Sequence, residues 1–219
     1  MVKRKSAETY FTSEEQERIS RCVATAESGT SGEIAIMIVD ESDRYREAEL
    51  AGALFLSAFL ALAAALLTSH VTIWSYLPMV ILLLFPCRWL FRRIPRLKRP
   101  FAGQHRIAEA VRQRAVRAFF EKGLYRTRDE TGILIFMSLL EQKVWILGDR
   151  GINELIDPAA WHGFAQELAT GMAQGKGCDA LCSMIGKCGA ELSKHFPRCA
   201  DDRNELSDQL LTEDHPLRQ

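Results

Sequence analysis

From Leu50 to Cys87 the chain runs for 38 residues without one Asp, Glu, Lys or Arg. A soluble core is assembled from apolar stripes on many separate elements, so a charge-free run of this length has no place in an ordinary soluble fold. One helix crossing the roughly 30 Å hydrocarbon layer takes about 20 residues, which makes the run too long for one crossing and long enough for two. Thr68, Ser69 and His70 supply the break. They separate Leu50 to Leu67 from a second run that starts at Val71 and reaches Phe91 once Arg88 snorkels to the headgroups. Trp74, Tyr76 and Trp89 fall near the ends of that second run, where amphipathic rings favour the interface, and Pro78 and Pro86 are candidate kinks. The sequence therefore predicts a transmembrane helical hairpin over residues 50–91. The alternative is a hydrophobic hairpin buried inside a globular core. A cleaved signal peptide is excluded by the nearly fifty residues, mostly polar, that precede the run.

Arg88, Arg92, Arg93, Arg96, Lys98 and Arg99 follow the second run with no acid among them, whereas the connecting turn holds no Lys or Arg. By the positive-inside rule both ends of the hairpin, and with them both termini, are cytoplasmic. The basic juxtamembrane segment 88–99 is a candidate reader of anionic lipid heads through Arg92, Arg93, Arg96, Lys98 and Arg99; the plainer reading is topological anchoring. Lys+Arg and Asp+Glu balance at 28 each, which removes the basic surplus expected of a nucleic-acid binder.

An even number of crossings returns the chain to the side it left, so residues 1–49 and 100–199 are free to fold as one split domain. Thr12 to Glu15 is a capping-box pattern that opens a helix over about Ser13 to Ser28, with Ile19, Cys22, Val23 and Ala26 at helical spacing. Gly29 and Gly32 lead into Ile34 to Val39, six apolar residues in a row. A strand apolar on both sides needs cover on both faces and neighbours on its edges, and nothing before residue 50 provides them. Beyond the hairpin, Ile133 to Met137 and Val144 to Leu147 read as two strands joined by a turn at Glu141 and Gln142. Ala108, Val111, Ala115, Ala118 and Phe119 mark a helix stopped by Gly123. Asp157-Pro158 opens another, with Trp161, Phe164, Ala165, Leu168, Ala169 and Met172 facing inward, and a last helix runs from about Asp179 to His195.

The predicted fold is α/β: a three-layer α/β/α sandwich with a small mixed sheet, interrupted by an inserted two-helix transmembrane hairpin. A strand-helix-strand crossover makes the first two strands parallel and leaves the third antiparallel to the second. The acidic tail, residues 200–219, lacks a period and is expected to be mobile, with Asn204-Glu205-Leu206 as a candidate docking segment.

This strand order brings the ends of all three strands to one edge. Glu33, Asp129, Glu130 and Asp149 are therefore candidate metal ligands, with Ser31, Thr131 and Asn153 as neutral oxygen donors, and an oxygen-rich edge suits Ca²⁺ or Mg²⁺. The competing reading is that Asp149 and Asn153 cap the segment after Gly151 while the other acids are solvated.

Six cysteines, Cys22, Cys87, Cys178, Cys182, Cys188 and Cys199, are expected to be free thiols on the cytoplasmic side. Cys178 and Cys182 are one helical turn apart and can be imagined sharing a metal with Cys188 or His195, but Cys178 and Cys188 also fall on the apolar stripe. His105, His162 and His195 lie on three different predicted helices and pair with no nucleophile. The one Cys-x5-Arg spacing, Cys87 to Arg93, falls at the end of the second apolar run rather than in a phosphatase loop, and the sequence holds no Gly-x4-Gly-Lys-Ser/Thr loop, no His-Glu-x-x-His and no Gly-x-Ser-x-Gly.

Tyr10-Phe11-Thr12 with Glu14-Glu15, Thr30 to Ile34, Gly132 to Ile135, Gly148 to Asn153, Trp161, His195-Phe196-Pro197, Asp201-Asp202 and Asn204-Glu205-Leu206 form an ordered set. It resembles the TPM domain family over roughly residues 10–49 and 100–206. The resemblance implies an α/β/α sandwich and, as in many bacterial members, an anchor in the bacterial inner membrane. It also implies either an accessory role as a binding or assembly module for a membrane component, with or without a divalent cation, or metal-assisted phosphatase activity on phosphomonoesters. This chain departs from the usual pattern by carrying its hairpin inside the domain, where many members have a single C-terminal anchor.

Overall fold

The computed structural model describes residues 6–68, 72–127, 130–156, 158–198 and 209–212. Two compact units emerge, one formed by residues 1–42 with 110–219 and the other by residues 43–109. The expected break at Ser69 and His70, the Asp157 cap, Cys199, and the Asp201-Asp202 and Asn204-Glu205-Leu206 segments lie outside the described residues.

In the first unit, α1 (Ser13–Glu27) starts as its capping box dictates: Thr12 Oγ1 accepts from Glu15 N at 3.2 Å and Glu15 Oε2 accepts from Thr12 N at 2.8 Å. It leads into β1 (Glu33–Val39), which pairs in parallel with β2 (Gly132–Ser138), and β2 pairs antiparallel with β3 (Lys143–Gly148). The sheet order is β1-β2-β3, so the mixed sheet predicted from connectivity is the one observed. All seven residues of β1 are buried, because both faces of the sheet are covered. Ile34, Ile36 and Ile38 pack with Ile19 and Val23 of α1, with Trp161 and Leu168 of α7 (Pro158–Ala173), and with Leu181, Ile185 and Leu192 of α8 (Gly177–His195). Ala35, Met37 and Val39 face Val111, Ala115, Ala118 and Phe119, which belong to a helix running from Gln104 to Glu121. Helix, sheet and helix therefore form the three layers.

The edge of β1 is closed by the C-terminal segment. Leu211 N donates to Ile36 O at 2.8 Å and Ile38 N donates to Leu211 O at 3.0 Å, and the Leu211 side chain is buried among Ala35, Met37 and Val39. Residues 209–212, part of the tail expected to be mobile, thus form a bridge to β1. An exposed strand edge is a liability, and one leucine with its backbone satisfies it.

In the second unit, α2 (Arg46–Thr68) and α3 (Ile73–Arg93) pack side by side and antiparallel, Gly52 against Phe91 and Ala58 O accepting from Tyr76 Oη at 3.2 Å. Each is long and apolar enough to cross a membrane. A 3-10 turn over Pro95–Lys98 and the short α4 (Arg99–Ala102) follow, and the helix from Gln104 to Glu121, α5, begins within this unit.

Candidate functional site

Two places bear on function, one in each unit. The first is the sheet edge where sequence reasoning placed a cation. Strand pairing does gather the expected backbone there: Glu33 N donates to Thr131 O at 3.2 Å and Asp149 N donates to Gly132 O at 2.8 Å. The side chains have other duties. Asp149 is the N-cap of α6 (Arg150–Leu155), its Oδ1 accepting from Arg150 N at 2.7 Å. Asn153 Nδ2 donates to Gly148 O at 2.7 Å, and Thr131 Oγ1 donates to Ser31 O at 3.1 Å. Glu33 is buried, Glu130 is exposed on a left-handed backbone with φ 54°, and Asp129 lies outside the described residues. Asp149 Oδ2 is enclosed and has no hydrogen-bond partner among the described residues.

Calcium takes about six to eight oxygen ligands, and magnesium an octahedron of about six. Among the described residues, one Asp149 oxygen and the side chains of Asn153 and Thr131 are committed to backbone groups. No three His, Cys, Asp or Glu side chains gather in a metal-holding arrangement among the described residues. The capping role of Asp149 and Asn153 is the reading that the geometry supports, and no catalytic step is derived through a metal.

The second place is the charged foot of the apolar helix pair. Glu49, in the first turn of α2, is buried, and its Oε1 accepts from Arg88 Nε at 3.1 Å and from Arg92 Nε at 2.9 Å. Lys98 Nζ lies 3.7 Å from Glu49 Oε2 and donates to Arg44 O at 3.1 Å. One carboxylate thus ties the start of α2 to the end of α3 and to the turn after it. Arg106 adds a second clasp, pairing with Glu47 and standing 3.8 Å from Asp43 Oδ2.

This geometry revises the basic set drawn from sequence. Lys98 is buried and does not face outward, a correction caused by the pull of the Glu49 carboxylate and the Arg44 carbonyl. Arg92 is exposed but engaged by Glu49. Arg93 is exposed with its guanidinium 5.3 Å from the centre of the Trp89 ring, Arg96 is exposed, and Arg99 is half-buried. Sequence reasoning missed Glu49 and Arg88 as a pair, although a signal existed: they flank the charge-free run, and the two ends of a hairpin must meet.

Above the foot, the side chains are distributed in a way that water does not favour. The α2 residues turned toward α3 include Ala53, Ser57, Ala61 and Ala65, all buried and spaced four apart, while Phe55, Phe59, Leu66 and Leu67 are exposed. On α3, Trp74, Ile81, Leu82 and Phe85 are exposed, and only 6% of its apolar window is buried. Small residues inside a helix seam with large apolar residues outside is an arrangement found where helices pack in lipid, and both helices are long and apolar enough to cross a membrane. Gly52 belongs to the same seam; a Cβ there would stand 2.2 Å from the Phe91 ring.

The histidines remain apart. His162 meets the edge of Trp145, with centroids 6.2 Å apart, His195 Nε2 stands 3.8 Å from Glu191, and His105 is exposed.

No known protein-family profile matches the chain. No curated protein matches it. Among solved structures it is similar to the NMR structure of the BA42 protein from the psychrophilic bacterium Bizionia argentinensis, with a TM-score of 0.58 and 20% sequence identity over 92% of this chain and 94% of that one. At that identity the likeness is one of fold.

Proposed function

We propose that this chain is a membrane-anchored, TPM-like binding or assembly module for another membrane component. The observation that supports it is the inverted helix pair: large apolar side chains outside, alanine and serine inside. In this reading α2 and α3 span the bacterial inner membrane and the charged foot lies in the cytoplasmic headgroup layer, with both termini and the α/β unit on that side. Arg93 and Arg96 rest among anionic lipid heads there. Glu49 neutralises part of the basic collar, so that Arg88 enters the interface as an ion pair rather than a lone charge.

The test is expression of the full chain in a bacterial membrane, followed by alkaline carbonate extraction, protease protection in inverted vesicles and native sizing in mild detergent. The proposal expects retention in the pellet, termini cleaved only from the cytoplasmic face and a complex larger than the chain. Release by carbonate would overturn the anchor, and a lone monomer would overturn the assembly role.

A further inference from the structure

Helices α1 and α8 lie side by side and run in the same direction, as three contacts along them show. Cys178 Sγ stands 4.0 Å from Glu15 O, Arg18 pairs with Asp179 at 2.7 Å, and Gly189 lies so close to Ala26 that a Cβ there would stand 2.7 Å from the alanine methyl. Cys22 is one turn after Arg18 and one turn before Ala26, and Cys182 lies between Asp179 and Gly189. The register therefore brings the two cysteines to facing positions between α1 and α8. Both are half-buried and free, and both line an open groove of about 800 Å³ together with Arg18, Arg21 and Gly186.

We infer that Cys22 and Cys182 form an oxidation site at which peroxide closes a disulfide stapling α1 to α8. A disulfide needs Cβ atoms about 3.5–4.5 Å apart, so its formation reports that α1 and α8 bring the two positions within that reach. Cys178 is the weaker partner: it is buried in the core and sits one turn from Cys182 on the same helix.

The chemistry is complete with peroxide as the oxidant. Burial above all pushes the Cys182 thiol up to about 12, so Cys182 enters as the protonated partner of the second step. The Cys22 thiolate takes one peroxide oxygen, the O–O bond breaks, and a sulfenic acid and hydroxide result. The Cys182 sulfur then attacks the sulfenic sulfur; the S–S bond forms, the S–O bond breaks, and the departing hydroxide leaves as water with the Cys182 proton. Two thiols lose two electrons and two protons in total, and peroxide becomes two waters. The inference concerns the α/β unit and stands independently of the membrane anchor.

The test uses the full chain in detergent, purified under reductant, exposed to hydrogen peroxide, blocked with iodoacetamide and mapped by mass spectrometry without reduction. The expected result is a Cys22–Cys182 linked peptide pair two hydrogens lighter than its parts, with loss of alkylation at both positions. A higher thermal midpoint that dithiothreitol reverses is expected as well. Cys22→Ser and Cys182→Ser remove the linked pair, and Cys178→Ala keeps it. Full alkylation of Cys22 and Cys182 after peroxide, or a dominant Cys178–Cys182 pair in the unsubstituted chain, would overturn it.

Discussion

The two units solve the same problem, packing apolar helices, with opposite residue choices. In the α/β unit the sheet helices turn Ile, Leu and Phe inward against Phe136 and Ile36, and their outer faces carry charge. In the 43–109 unit the helix pair turns Ala53, Ser57, Ala61 and Ala65 inward and holds Phe59, Leu82 and Phe85 outward. The first arrangement is driven by removing large apolar surface from water. The second leaves that surface out and gains from close backbone approach and an ion-pair cluster around the buried Glu49, an arrangement suited to apolar surroundings. Helical periodicity alone does not separate the cases; which residues occupy the seam does.

The largest effect separating the units is predicted for a matched pair of substitutions. Phe136→Ala empties the middle of the sheet, where the ring is fully buried, and is expected to lower stability by about 3–5 kcal/mol in denaturant titration of the detergent-solubilised chain. Phe59→Ala removes the same group from the outer face of α2 and is expected to change stability by about 0.5 kcal/mol or less. Equal losses would erase the distinction.

The alkaline limb of stability belongs to the α/β unit. Cys188 is buried, and burial pushes its thiol up to about 12 from the ordinary 9.0. The unfolded chain releases that proton first, so the stability contribution is present in full below about pH 9 and is lost as pH rises toward 12, at about 1.4 kcal/mol per unit. Urea midpoints measured from pH 8 upward check this, with Cys188→Val expected to flatten the decline.

At the foot of the hairpin, Glu49→Gln leaves Arg88, Arg92 and the buried Lys98 without their carboxylate. Breaking a fully buried pair costs about 3–5 kcal/mol, and solvent screening of the two half-exposed guanidiniums reduces the expectation to about 1–3 kcal/mol. Lys98→Met, by contrast, is expected to be close to neutral, because it removes a buried charge together with its desolvation cost. Thermal unfolding in detergent distinguishes the two.

The smallest effect is predicted at the sheet edge. Asp149→Ala loses the cap of a six-residue helix and is expected to cost about 1 kcal/mol, while Asp149→Asn, which caps as well, is expected to change little. A loss well above that in Asp149→Asn, appearing only when Ca²⁺ is present, would favour the cation reading over the capping one.

Much of the fold was legible because its signals are local. The Thr12–Glu15 capping box, the doubly apolar Ile34 to Val39 and the strand-helix-strand order each constrain a neighbourhood or a connection. Gly123 adopts φ 68° where the helix ends, as its lack of a side chain permits. What escaped the sequence depends on distant partners. Leu211 sits in an acidic stretch without periodicity, and its place on the edge of β1 is visible only once that edge exists. Cys22 and Cys182 are far apart in the chain, and only the parallel register of α1 and α8 makes them neighbours. The carboxylates at the sheet edge illustrate the converse: topology brought the strand ends together as expected, yet side-chain rotamers sent Asp149 to a helix cap.

Oxygen and nickel-chelate accessibility of nitroxides on the full chain in phospholipid vesicles tests the central claim most directly. Labels are placed at Leu62→Cys on α2, Leu82→Cys on α3 and Arg96→Cys at the foot. The account predicts labels at 62 and 82 that are reached by oxygen and shielded from the chelate, and a label at 96 with the opposite response. Labels at 62 and 82 relaxed by the chelate as strongly as the one at 96 would contradict it, returning the helix pair to water.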